Sequence, residues 1–490
     1  MDNSIFILGG VLIAITASYF FVNRSQLERF VSGLKGRSRK VSSAETPPPD
    51  ASPEKQPSGI SYRDNLPPSR REALYDVVKT ENLEINERSW ALRDLDDADV
   101  TRSLLPMTED YQACEEVKFT PTGFSTMEIR ALGDFPDYSS LSGVPLPKPY
   151  QEFVIDTALP RPYRPFRWNY HQTMSLTKLE PDWWLELEST YKHRIAQRKA
   201  LHAKHGKAVL NKLPGSELAC KELMEMVIQF LCARYPQYFS LSKDKRYLTN
   251  GILNTVEDLH TKDSLAILMD NVPEDFAVML RDDNSGYYFL RAGSICSSLG
   301  WNLETKLGMQ LHEIHEPIPD YKEKMQFSMD RYFAKMPTDK PIQRSSWGLE
   351  VDQPLFMPPG DPHELHRHSQ SPSLDLSSCF LRVDWQTLRR LPLSGAIIFN
   401  YKALFTPVAE FRDEPGIPAL VAKILREGKR SIMEYKNTWH VEHVVLPALD
   451  RWAKEQEEKG IVEKGWEVAT LEESPYFRGW EEKWHRQQGF

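Results

Sequence analysis

Between Phe276 and Pro407 the hydrophobic period changes from that of strands to that of helices and back, and few folds accommodate that order. Phe276–Leu280 is a short apolar run, Asp282–Gly286 is turn chemistry, and the aromatic run Tyr287–Ala292 follows. Together they predict a β-hairpin. Helical spacing then holds over Trp301–His312 and Asp320–Met336, and strand patterns resume at Ile342–Val351, Cys379–Leu388 and Ala396–Pro407. Two strands, a helical crossover and three strands predict a five-stranded antiparallel sheet with helices gathered on one face, an α+β plan.

Upstream, two helices are expected. Pro181–His205 opens on an acidic turn with proline and carries Trp184, Leu187, Tyr191 and Ile195 at helical spacing. Ser216–Tyr235 begins at a good N-cap residue. Downstream, Val441, Val444, Val445, Leu449 and Trp452 mark a helical tail over 438–490.

At the N-terminus, Ile5–Val22 carries no charge. As a helix it would reach roughly 27 Å, enough for a thin bilayer such as that of the endoplasmic reticulum. Only Asp2 is charged before it, whereas Arg24, Arg29, Lys35, Arg37, Arg39 and Lys40 follow. This asymmetry predicts a single-pass protein of that membrane with its body in the cytosol. The competing reading is a cleaved signal, with Ala14 and Ala17 as small residues near a cleavage site, but the start is not basic. Five scattered cysteines with no CxxC pair fit a reducing compartment. The expected order is an anchor over 1–23, a basic then Ser/Pro-rich linker over 24–72, an extension over 73–144, the main domain over 145–437 and the tail. A net charge of −8 excludes a broad basic surface, so nucleic acid is not an expected partner.

No GxGxxG after a strand, GxxxxGK[ST], GxSxG or HExxH occurs, which removes the Rossmann, P-loop, serine-hydrolase and zincin readings. His312 and His315 end a helical stretch, with Pro317 and Pro319 fixing the chain just after. A neutral imidazole so held is a good iron or zinc ligand; the plainer reading is a polar helix end. His363, His366 and His368 lie in a long polar loop, Pro354–Ser377, with no standard zinc spacing. On a strand, Arg382, Asp384, Gln386 and Leu388 share one face and Val383, Trp385 and Thr387 the other. An inward Arg/Gln row suits a carboxylate or propionate; a solvated face is the alternative. Arg344 and Trp347, an odd number of residues apart on the preceding strand, should face opposite sides.

Taken in order, RPFRW (Arg164–Trp168), MSLTKL (Met174–Leu179), WLELE (Trp184–Glu188), AGSIC (Ala292–Cys296), IHEPIP (Ile314–Pro319), DRYF (Asp330–Phe333), RSSW (Arg344–Trp347) and the run Arg382–Pro392 resemble the haem-dependent oxidative N-demethylase family. The resemblance covers 145–437. It implies a PAS-like haem-binding domain with haem b on one histidine, and the matching position is His315. It implies Arg344, Trp347, Arg382 and Gln386 around the cofactor, with Arg382 a candidate for the propionates. It further implies demethylation of a small or secondary amine with dioxygen, using electrons from a separate NADPH- and flavin-dependent reductase. A non-catalytic haem or ligand sensor and a membrane adaptor with a degenerate pocket are the alternatives. Glu316 and Ile318 depart from the family pattern, where a small residue and valine are usual.

Overall fold

A computed structural model describes residues 65–68, 70, 104–170 and 173–489. Helices α1 (Thr126–Leu132) and α2 (Tyr138–Ser142) precede β1 (Thr177–Lys178), α3 (Tyr191–His205), β2 (Leu210–Lys212) and α4 (Glu217–Arg234). A small antiparallel sheet of β3 (Phe239–Leu241), β4 (Tyr247–Asn250) and β5 (Thr255–Asp258) leads to α5 (Ser264–Asn271). The hairpin β6 (Asp275–Arg281) and β7 (Tyr288–Ser294) follows. Four short helices come next: α6 (Leu303–Lys306), α7 (Leu311–His315), α8 (Tyr321–Lys324) and α9 (Gln326–Lys335). Strands β8 (Ile342–Val351), β9 (Cys379–Arg390) and β10 (Ile397–Pro407) complete the sheet. Helices α10 (Ile417–Glu427), α11 (Arg430–Lys436), α12 (Trp439–Glu458) and α13 (Trp480–Gln488) follow.

The α+β, antiparallel expectation holds, with additions. The main sheet has seven strands in the order β1-β8-β9-β10-β6-β7-β2. The five expected strands form its centre, and the short β1 and β2 pair with its two edges. Helices do not gather on one face. Even positions of β6 (Phe276, Val278, Leu280) pack into a core with α3, α4 and α5. Odd positions of β9 (Leu381, Val383, Trp385) pack with α10 and α12 on that same side. The opposite positions, Ala277, Met279, Leu388 and Tyr401, meet α7 to α9. Both faces are apolar, so both must be covered.

Two local expectations are also corrected. The helix expected over Pro181–His205 is a 3-10 turn at Pro181–Trp183 and then α3 from Tyr191. Between them, Glu186 is buried against Arg161 and Tyr163 rather than on a solvated helical face. The stretch Trp301–His312 is divided at Gly308, whose φ is +86°. The hairpin follows its turn chemistry: Gly286, at φ +74°, donates to Asp282 O at 2.7 Å. Gly293 of AGSIC allows close strand approach, since a Cβ there would stand 2.9 Å from the Phe276 carbonyl oxygen.

The expected transmembrane helix, and the single-pass location drawn from it, are not met by any helix among the described residues: none is long and apolar enough to cross a membrane. Ile5–Val22 itself lies outside the described residues.

One buried ion pair ties the layers together. Asp275 opens β6 and is fully buried with Arg198 of α3. The same carboxylate accepts from Cys296 N at 2.8 Å, Ser297 N at 2.7 Å and the Ser297 hydroxyl. Ser297 O in turn accepts from Arg382 Nη2 at 2.5 Å. Removing one partner strands a buried charge. Asp275→Asn should therefore lower unfolding stability in urea by about 3–5 kcal/mol. The double variant Arg198→Met/Asp275→Asn should lose less than the two single losses combined. A single-variant loss below about 1 kcal/mol would show that the pair does not hold the layers together.

Candidate functional site

The strand parity builds one wall of a large cavity. Arg344, Ser346, Gly348 and Glu350 of β8, and Arg382, Asp384, Gln386 and Leu388 of β9, line it. Phe399 and Tyr401 of β10 and Ala277 and Met279 of β6 continue that wall. The opposite wall comes from α7 to α9, with Leu311, Ile314, His315, Met325, Met329 and Phe333. The volume is about 640 Å³, well inside the roughly 300–1,000 Å³ of sites that enclose organic ligands.

His315 is held from its own helix. Gln310 N donates to the Glu313 carboxylate at 2.6 Å at the start of α7, and Pro317, lacking an N–H, ends it. His315 Nδ1 lies 2.7 Å from Leu311 O. A carbonyl oxygen only accepts, so Nδ1 carries the proton and Nε2 keeps its lone pair. The ring stacks on Tyr321, centroids 5.2 Å apart at 12°. Burial first, and then the charges of Arg344 and Lys306, push the imidazole pKa down to about 4, partly offset by the Leu311 hydrogen bond. The ring is therefore neutral at physiological pH, in the tautomer that metal-bound histidines adopt when the other nitrogen donates to a carbonyl. His312, three residues earlier, is absent from the cavity wall and faces Tyr287 across 6.3 Å. The structure thus separates two histidines that spacing alone left level.

The wall carries five cations and two carboxylates. Arg367 pairs with Glu350, and Arg382 with Asp384 at 3.0 Å. Lys306, Arg344 and Lys436 make no ion pair among the described residues. Burial pulls Lys306 down to about 8 and Lys436 to about 7, and lowers Arg344. An arriving anion would reverse those shifts, so the cavity favours anions.

The expected residues fall into distinct places. Arg382 faces the cavity as its parity requires, but its guanidinium is engaged by Asp384, Pro354 O at 2.8 Å and Ser297 O. Arg344 and Gln386 are cross-strand neighbours on the cavity face. Trp347 belongs to the core on the other face, against Phe166 at 5.0 Å, while also bordering the cavity. Among the described residues its Nε1 has no hydrogen-bond partner, nor do Arg344 Nε and the Tyr401 hydroxyl. His363 and His366 stand 5.1 Å apart, and His363 Nε2 meets Val351 O at 3.1 Å. No group of three or more His, Cys, Asp or Glu suited to a metal ion is present among the described residues. A haem iron needs only one such side chain from the protein.

Sequence reasoning missed Lys306, Tyr401 and Lys436 as wall residues. The alternation Ile397, Phe399, Tyr401 on β10 carried a usable signal for the tyrosine. Nothing local marks Lys436 at the end of α11; packing alone brings its amine within 2.6 Å of Trp347 O.

The residues fit a haem: apolar walls for the porphyrin, surplus cations for two propionates and one neutral histidine for iron. A sequence-family model described as "Haem-dependent oxidative N-demethylase, alpha subunit-like" matches residues 175–446, more than half of the chain. The chain belongs to that family.

Lys436 supplies a direct check of the cavity electrostatics. Its folded pKa, about 7, lies below its ordinary 10.5. Between those values the unfolded chain holds a proton that the folded chain lacks, so this lysine's penalty on folding shrinks as pH rises. In haem-free protein, Lys436→Met should gain stability relative to wild type as pH falls from 10 to 7. A pH-independent difference in unfolding midpoints would contradict the buried-lysine assignment.

Proposed function

We propose that this family member holds one haem b on His315 and removes a methyl group from a small or secondary amine. The observation that carries this reading is one cavity-facing imidazole among the described residues, neutral and locked by Leu311 O, in a largely apolar cavity with cations outside any ion pair. When bound, the haem supplies the activation of dioxygen. In the net reaction an N-methyl amine, dioxygen, two electrons and two protons become the demethylated amine, formaldehyde and water. The C–N bond to the methyl group breaks, the methyl carbon is oxidised to formaldehyde, and the amine nitrogen gains a hydrogen. The two electrons come from a separate reductase drawing on NADPH and flavin, consistent with a chain that lacks nucleotide-binding motifs.

The chain's own residues set the conditions. The Leu311 carbonyl orients the imidazole and raises its basicity as a ligand. Tyr321 packs flat against the same ring. Met279, Met329, Phe333 and Leu388 exclude water from the apolar part of the cavity. Lys306 and Lys436 suit the propionates better than Arg382, because their amines donate to the Ile314 and Trp347 carbonyls and close no ion pair among the described residues, while Arg382 is bridged to Asp384.

Haem-loaded wild-type protein should show a Soret band and release formaldehyde from at least one N-methylamine of a small panel, dimethylamine and N-methylglycine included, with NADPH and a reductase. His315→Ala should lose haem affinity by more than the roughly 10–100-fold that deleting a ligand's supporting hydrogen bond costs. Identical wild-type and His315→Ala spectra would remove His315 as the ligand. A Soret band without formaldehyde from any amine of the panel would favour a sensor.

A further inference from the structure

Three side chains form a continuous row across the sheet wall. Arg344 on β8 pairs in register with Gln386 on β9, and Gln386 with Tyr401 on β10. All three line the cavity. Tyr401 is only 6% exposed, yet among the described residues its hydroxyl has no hydrogen-bond partner, and neither has Arg344 Nε. Leaving a buried donor unpaired costs about 1–3 kcal/mol, more for a charged group, so such groups in a cavity wall mark a ligand's polar end. The row combines a guanidinium, an amide and a phenol, the donor set that a carboxylate accepts from.

The charges of the cavity agree. Two of its five cations are matched by its two carboxylates. Two more, Lys306 and Lys436, answer the two propionates of a haem. Arg344 remains. It stands on the sheet wall, across from His315 on the helical wall and near enough for its charge to act on that imidazole.

We infer that the Arg344–Gln386–Tyr401 row binds the carboxylate of the substrate, and that the substrate class is N-methylated amino acids rather than simple alkylamines. The inference rests on the demethylase reading. Anchoring the carboxylate on the sheet leaves the N-methyl end directed into the cavity. Arg344 and Tyr401 are here binding residues for substrate, and Gln386 closes the row between them.

The test compares N-methylglycine with N-methylglycinamide, which has the same shape without the charge. In haem-loaded wild-type protein with reductase and NADPH, kcat/KM should favour N-methylglycine by at least about tenfold, since a site built for a charged, hydrogen-bonded group discriminates strongly against its neutral analogue. Arg344→Gln should bring that ratio close to one, and Tyr401→Phe should lower it. Equal kcat/KM for the two amines in the wild type overturns the inference while leaving demethylation intact. Loss of haem from Arg344→Gln, read as a diminished Soret band at equal protein concentration, overturns it in favour of a propionate contact. If neither amine yields formaldehyde, the demethylase reading falls. Calorimetric binding of the two amines to the same haem-loaded protein then still reads the row, with no preference for N-methylglycine counting against it.

Discussion

The buried Arg198–Asp275 pair is the constraint on which the arrangement turns. Asp275 stands at the first position of β6 and gathers Arg198 from α3, two backbone amides after β7, and the Ser297 hydroxyl. Ser297 O then receives Arg382 of β9, whose other nitrogens reach Asp384 and Pro354 O. One helix, both arms of the hairpin and a central strand of the sheet are thereby held in place. Such a pair gains its worth from complete satisfaction, because the charges were removed from water to make it. It also explains why Arg382 faces the cavity yet serves the scaffold.

A sheet apolar on both faces imposes the rest. One face is filled by α3 to α5 and by α10 and α12, whose side chains complete two dense cores. The other is covered mainly by the short helices α6 to α9, divided by glycine and proline turns, with the end of α11 at the margin, and the space between is not filled. Short helices contribute little stability of their own, so their position depends on the contacts they make with the sheet. The same wall holds buried donors at Arg344, Trp347 and Tyr401 that have no partner among the described residues. Local rules of polar satisfaction are broken where a ligand would satisfy them, which is the usual place for such breaks.

Much of this was legible from residue order. Strand Ile342–Val351 has its expected bounds to the residue, and β9 and β10 start within one residue of their expected positions. The shared face of Arg382, Asp384, Gln386 and Leu388 follows from the period of a strand and is seen as such. Other features were not legible. The stretch Trp184–Thr190 has helical spacing but leaves the helix, because Glu186 finds Arg161 and Tyr163 from a distant segment. Choosing His315 over His312 needed either the family resemblance or the cavity, since both end the same short helix.

The sequence by itself determined the order of strands and helices, the two faces of each strand and the short list of histidines, because these depend on local period and on proline and glycine geometry. It also carried the family, spread over an ordered set of short motifs. Only the tertiary structure decided that helices cover both faces, that Arg382 closes an ion pair while Arg344 closes none among the described residues, and that Lys436 joins the wall. Those outcomes depend on which distant side chain meets each buried charge. A one-dimensional pattern does not record that competition; packing in three dimensions resolves it.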